Sequence, residues 1–309
     1  MAQSVAAAGR DHRAPEARTS NVFALAWRQS RRHQPWLCLL AVLIIPLTMV
    51  PLELQRRIID RAIGLQNVDL LLWLGAIYLA VALLQGGLKY LLRLYRGVVG
   101  ERTILNLRRA VHSRREGGVE GETVSIVASE VERVGGFVGE AFSEPILQGG
   151  TLVAVLGYML VVEPTIALVG LAFFLPQILL APIIQRFVNR RARRKIKLVR
   201  QLSDQIVDGA ADDRYAGTTE KVYAVRVSYY RFKFTIKLMN NLLNHLAPLT
   251  VLMVGGYLVI NGETTVGTIV AFISGFERMA EPSRELLAYY HLASESQAQY
   301  GLIERHIAA

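Results

Sequence analysis

Charge is what this sequence has least of. Asp, Glu, Lys and Arg make up only 19% of its 309 residues, against 52% hydrophobic, where soluble chains carry about 25% charged residues. Cysteine is nearly absent: Cys38 stands alone inside an apolar stretch, which excludes an internal disulfide framework and a cysteine-based metal site. The six histidines, at 12, 33, 112, 245, 291 and 306, have no ligand-like spacing. No lysine is followed by Ser or Thr, so the Gly-x-x-x-x-Gly-Lys-Ser/Thr loop that cradles nucleotide phosphates is missing. Residues 1–20 have no apolar core and so no secretory signal. Asp11 and Glu16 in the same stretch argue against an organelle transit peptide.

What is present is long uncharged runs. Trp36–Leu52, Leu70–Leu88, Pro145–Val162, Pro164–Gln185 and Leu238–Gly262 contain no Asp, Glu, Lys or Arg, and Thr264–Phe276 forms a shorter sixth run ending at Glu277. A bilayer core of about 30 Å takes roughly 20 apolar residues in a helix. The expected fold is therefore all-α: a polytopic membrane protein with six long transmembrane helices over approximately 36–54, 70–92, 144–163, 164–188, 239–261 and 264–286. A re-entrant segment is the alternative for the sixth. Residues 1–20 read as a disordered cytoplasmic tail, and 21–309 as the membrane domain.

The gaps between runs are very unequal. Residues 89–144 and 186–237 are long, whereas Glu163 alone parts the third and fourth runs and a tight turn at Asn261-Gly262-Glu263 parts the fifth and sixth. The N-terminal 35 residues and the two long gaps hold 29 of the 35 Lys and Arg. Positive charge stays on the cytoplasmic side, which puts both termini and both long gaps in the cytoplasm of a plasma membrane, expected to be a bacterial inner membrane. Arg56, Arg57 and Arg61 fall on the outer side, beside Glu53, Asp60 and Asp69. The net charge of +10 thus follows membrane sidedness and gives no sign of a nucleic-acid partner. Arg186–Ser203 and Glu220–Asn244 lack Gly and Pro and are predicted to carry spans into the cytoplasm as helical extensions. Breaks are expected at Arg114–Gly121 and at Asp208–Asp213 with Gly217. Each long gap then reads as rod, short tip, rod; ordinary soluble loops are the alternative.

Four stretches resemble a known family. Gly121-Glu122-Thr123-Val124 followed by Ser129-Glu130-Val131-Glu132-Arg133-Val134 is similar to the start of the third helix in the transmembrane domain of ABC exporters. Asn261-Gly262-Glu263-Thr264-Thr265-Val266-Gly267 resembles that family's outer turn into the sixth helix, Pro282 falls where the family commonly has proline, and Leu302–Ile307 resembles the stretch just ahead of its ATPase domain. The resemblance implies six long helices bearing two short cytoplasmic coupling elements. It also implies a dimer with a second transmembrane domain, identical or not, and ATP with magnesium held on a partner nucleotide-binding domain or subunit. This chain, without the phosphate loop, is expected to carry no cofactor and no catalytic residue, whether the ATPase is a separate polypeptide or a continuation of this one. A secondary transporter or a scaffold descended from an exporter is the alternative; the absence of charge from the cores of the first four spans counts against ion coupling.

Two sets of site residues follow. The tips, Arg114, Arg115, Glu116 and Glu122 in the first gap and Asp208, Asp212, Asp213, Arg214 and Tyr215 in the second, are candidates for coupling to the ATPase, or else are solvated turns. Glu277, Arg278, Glu281, Arg284 and Glu285 are spaced by three and four. They would either line a cavity or pair along one helix face. Asn244 and His245, with Asn240 and Asn241, are a further cavity candidate near the inner boundary, where an interfacial polar patch is the plainer reading.

Overall fold

A computed structural model describes residues 21–112, 121–172, 174–176 and 212–308, with 196, 199–201 and 203 as separate positions between. Among the described residues every regular element is helical. In chain order these are α1 (Val22–Ser30), α2 (Gln34–Arg57), a π-helical stretch Ile58–Ile63, α3 (Val68–His112), α4 (Gly121–Glu140), α5 (Ser143–Val162), α6 (Asp212–Ile260) and α7 (Val266–Ala308). Helical backbone also covers described positions between Pro164 and Pro176.

Three of these elements are long and apolar enough to cross a membrane: Gln34–Ile63, Val68–Ala110 and Ser143–Val162. Pro164–Pro176 and Pro248–Ile260 are shorter apolar helices. The remaining expected span lies in α7, whose apolar part is short. The helices overrun the uncharged runs by a wide margin. At about 1.5 Å per residue, the 45 residues of α3, the 49 of α6 and the 43 of α7 each exceed twice a hydrocarbon core of about 30 Å.

Two expectations need correction. Asp212, Asp213, Arg214 and Tyr215, predicted to sit in a break extending to Gly217, instead open α6, which runs unbroken through Gly217. One interior glycine costs a helix about 1 kcal/mol relative to alanine, little against a helix this long. Conversely, α4 and α5 are separate helices, parted at Ala141 and Phe142, where an uninterrupted rod into the third span was expected. Arg114, Arg115, Glu116, Asp208, the tail 1–20 and most of Arg186–Ser203 lie outside the described residues.

The chain divides into two compact units. The larger comprises Trp36–Arg93 and the described part of Phe142–Tyr290. Its core gathers Leu52 from α2, Val155 and Met159 from α5, Ile166, Ala167 and Phe174, Val251 and Leu258 from α6, and Ile269, Phe272, Phe276 and Met279 from α7. The rings of Phe174 and Phe276 meet at 6.1 Å. The α7 contributors recur every three to four residues, which is one helix face. By contrast α3 presents large apolar side chains outward, among them Leu72, Trp73, Leu79 and Leu83, all at least 60% exposed. A band of that kind is untenable in water and marks contact with lipid or protein.

The smaller unit comprises the described residues of Met1–Pro35, Leu94–Ala141 and His291–Ala309. Val131, Val134, Phe137 and Val138 form the buried stripe of α4, and Ala141 just past its end is buried too. Against it lies α1 through its own stripe Val22, Ala26 and Ser30. The Phe23 ring meets the Phe137 ring edge-on at 5.2 Å. Asn21 caps α1 by accepting from the Phe23 amide. The Val22 amide, another of the unpaired donors of a first helical turn, donates to Gln297 Oε1 at 2.9 Å. Gln34, fully buried, donates through Nε2 to Ser30 Oγ and to the Val138 carbonyl.

Phe137→Ala should cost about 3–5 kcal/mol and release α1 from α4. Trypsin cleavage at Arg28 in the detergent-solubilised protein is the check: it should accelerate in the variant, and an unchanged rate would show that the ring contact does not hold α1.

Candidate functional site

The strongest polar constellation of the larger unit sits where three long helices end. The π-helical stretch continues α2 and turns Asp60 toward the start of α7. Asp60 Oδ1 accepts from the Gly267 amide at 2.8 Å, and Oδ2 accepts from the Thr265 hydroxyl at 2.7 Å. Thr265 Oγ1 in turn accepts from the Thr268 amide at 3.3 Å and lies 2.9 Å from the Thr268 hydroxyl. Since the Thr265 proton goes to Asp60, the Thr268 hydroxyl is the donor of that last pair. A carboxylate more than 200 residues away in sequence thus caps the first turn of α7, where free amides and the helix dipole both favour negative charge. The fit leaves no space: a Cβ on Gly267 would stand 2.5 Å from the Arg56 carbonyl and 2.6 Å from the Asp60 carboxyl. The turn leading in is set by Gly262, whose φ of 77° suits glycine.

The same end of α2 holds a second carboxylate. Glu53 accepts from Arg57 Nε at 2.6 Å and from the Tyr158 hydroxyl of α5 at 2.9 Å. Arg56 lies between the two acids, 3.4 Å from Glu53 and 3.9 Å from Asp60. These pairs neutralise Arg56 and Arg57 in place. The partners span α2, α5 and α7, so the cluster clasps three helices together. Little in the sequence singled it out. The available signal was an acid, Asp60, in a nearly neutral 53–69 segment, together with a glycine, Gly267, in the first turn of the predicted sixth helix.

The residues singled out from sequence are placed as follows. Glu122 lies at the start of α4 and Asp212, Asp213 and Arg214 at the start of α6, described by their backbone alone; Tyr215, one position on, has an exposed side chain. Asn244 lies within α6, and His245 beside it is exposed. On α7, Glu277, Glu281, Arg284 and Glu285 are exposed and Arg278 is half-buried, while Phe272, Phe276 and Met279 of the same helix enter the core. None of these five charged residues forms an ion pair with another of the five among the described residues, so the predicted ladder along one face is not formed.

Residues 36–208 match the ABC transporter transmembrane region. The chain belongs to that family. It is also similar to a Bacillus subtilis protein, YgaD, described by name as a multidrug export ATP-binding/permease protein, with 30% identity over 190 residues, 54% of this chain and 31% of the relative. The match thus spans about a third of the relative's length. The clasp joins α2 and α5, inside the matched stretch, to the start of α7 beyond it.

Asp60→Ala should lower the melting midpoint of the detergent-solubilised protein, with a loss of about 1–2 kcal/mol typical of a removed helix cap. Asp60→Asn, which keeps an acceptor for the Gly267 amide, should lose less. Gly267→Ala should behave like Asp60→Ala, because the added methyl drives the carboxylate away. Unchanged midpoints in all three would remove the clasp from the list of forces holding α7.

Proposed function

We propose that this chain is the membrane-spanning permease of an ATP-binding-cassette exporter, moving its substrate by alternating access driven by ATP hydrolysis on a partner nucleotide-binding domain or subunit. The family match over 36–208 carries the reading. In this reading six spans cross a bacterial plasma membrane, and both termini and both long gaps are cytoplasmic. ATP and magnesium are held by the partner, and a second transmembrane domain completes the pathway. The exposed apolar band of α3 supports cover by lipid and by that second domain. The lengths of α3, α6 and α7 support extensions beyond the bilayer that can reach an ATPase.

The parts then have distinct roles. Arg114–Glu122 and Asp208–Tyr215 transmit the closure of the ATPase. Glu277, Arg278 and Glu281, with Asn244 and His245, face the polar path between the two transmembrane domains. The Asp60 clasp lies at the outer side and holds the ends of three spans in one arrangement. Coupling needs a contact that differs between the two states of the ATPase, and polar groups at the ends of stiff helices can provide it.

Asp212→Lys with Asp213→Lys should abolish ATP-driven dye uptake into inverted vesicles carrying the assembled complex, and should remove stimulation of its ATPase by the dye while dye binding persists. Ordinary surface changes shift stability by only about 0.5 kcal/mol, so full transport and full stimulation in the double variant would reject this placement of the tip. The 309-residue chain alone should bind no ATP stoichiometrically in a titration; saturable one-to-one binding would reject assignment of the nucleotide to a partner.

A further inference from the structure

The smaller unit presents one surface that export does not account for. Opposite the stripe by which α1 packs on α4, the side chains of Trp27, Arg28, Arg31 and Arg32 are exposed, Trp27 at 48%. In a helix of 3.6 residues per turn, positions i, i+1, i+4 and i+5 share one face. Arg31 keeps helical backbone angles just past the end of α1, so the patch is continuous. From Asn21 to Leu52 there is no Asp or Glu, hence no acid within this stretch to neutralise the three arginines. In sequence the patch ends four residues before Trp36, where the first uncharged run begins. Four residues of chain reach no more than about 14 Å even when extended, so the patch stays within reach of the lipid headgroups that flank that run. The helix cannot roll to hide it, because the Phe23–Phe137 ring contact, the Val22–Gln297 bond and the Gln34 bonds to Ser30 and Val138 hold the opposite face.

We propose that Trp27, Arg28, Arg31 and Arg32 form a binding surface for anionic phospholipid headgroups. Indole belongs at the headgroup level. Guanidinium pairs with phosphate in a bidentate manner, and basic clusters beside a span are drawn to the negative leaflet of the membrane. A nucleic acid or an acidic protein would answer the arginines alone, whereas indole together with guanidinium just ahead of an uncharged run fits a headgroup layer. The inference rests on the membrane placement of the chain and is independent of export.

The test uses the full chain with Trp36→Phe and Trp73→Phe, leaving Trp27 as its single tryptophan. It is reconstituted in phosphatidylcholine vesicles with and without phosphatidylglycerol, and retained lipid is measured by native mass spectrometry. Brominated phosphatidylcholine should quench Trp27. Retention of phosphatidylglycerol should fall about fivefold for each arginine removed in Arg28→Gln, Arg31→Gln and Arg32→Gln. It should hold in the charge-matched control Arg102→Gln, Arg108→Gln and Arg109→Gln, which removes exposed arginines of α3. Inorganic phosphate at matched ionic strength should leave the lipid bound. Equal losses in the two triple variants, unquenched Trp27, or displacement by phosphate would each overturn the proposal; these readouts need neither ATP nor transport.

Discussion

A helix that begins at the edge of a bilayer leaves amides that neither its own carbonyls nor lipid can satisfy. The start of α7 has such free amides wherever it lies, and the Asp60 carboxylate satisfies one of them by accepting from Gly267, with the Thr265 hydroxyl as its second donor. Much of the larger unit follows from that arrangement. The carboxylate reaches α7 because α2 slackens into a π-helical stretch at Ile58–Ile63; π-turns of this kind commonly mark functional positions. Its negative charge is held by Arg56, which is shared with Glu53, and Glu53 is tied to α5 through Tyr158. Removing one partner would strand the others, because each acid here balances a base in a setting with few charges to spare.

Below the clasp, packing takes over from polar contact. Phe272, Phe276 and Met279 of α7 enter a core supplied by α2, α5, α6 and the Pro164–Pro176 helix. The clasp sets the axial position of α7, and the aromatic face sets its rotation. Prolines at 46 and 51 in α2, at 248 in α6 and at 282 in α7 would break soluble helices. Within a bundle, neighbouring groups can satisfy the carbonyls they free. The smaller unit uses different means: short polar bonds at the start of α1 and an aromatic edge contact.

The uncharged runs were enough to find α2, α3 and α5, because a helix crossing lipid cannot carry charge cheaply and the signal is local in sequence. The Asn261-Gly262 turn was legible for a similar reason, since few residues adopt a positive φ readily. The break at Ala141 and Phe142 had a local signal in Pro145, whose ring clashes with the carbonyl four residues back and which suits the first turn of a new helix. The passage of α6 through Gly217 was misread because glycine weakens a helix without ending it. Asp60 escaped notice because its role depends on a contact 207 residues away, which no spacing rule reveals. For the tip residues, sequence supplied position along the chain and the structure supplies backbone for Glu122, Asp212, Asp213 and Arg214; their part in coupling is a proposal resting on family membership.

The charges of α7 carry the argument one step further. In the proposed membrane placement, the 12 residues from Thr265 to Glu277, roughly 18 Å of helix, bring Glu277 well inside a hydrocarbon core of about 30 Å. Phe276 and Met279 face the unit's own interior, leaving Glu277 and Glu281 on the opposite, exposed side. An ionised carboxylate against lipid at that depth costs several kcal/mol, and among the described residues neither acid pairs with Arg278 or Arg284 to reduce it. The face must therefore meet water or another polar protein surface. Three helices of this chain are tied by the clasp and packed through one core, so the cover has to come from outside that core. That requirement, which two glutamates would impose in a sixth span, supports the proposal that the exposed face of α7 lines a path shared with a second transmembrane domain.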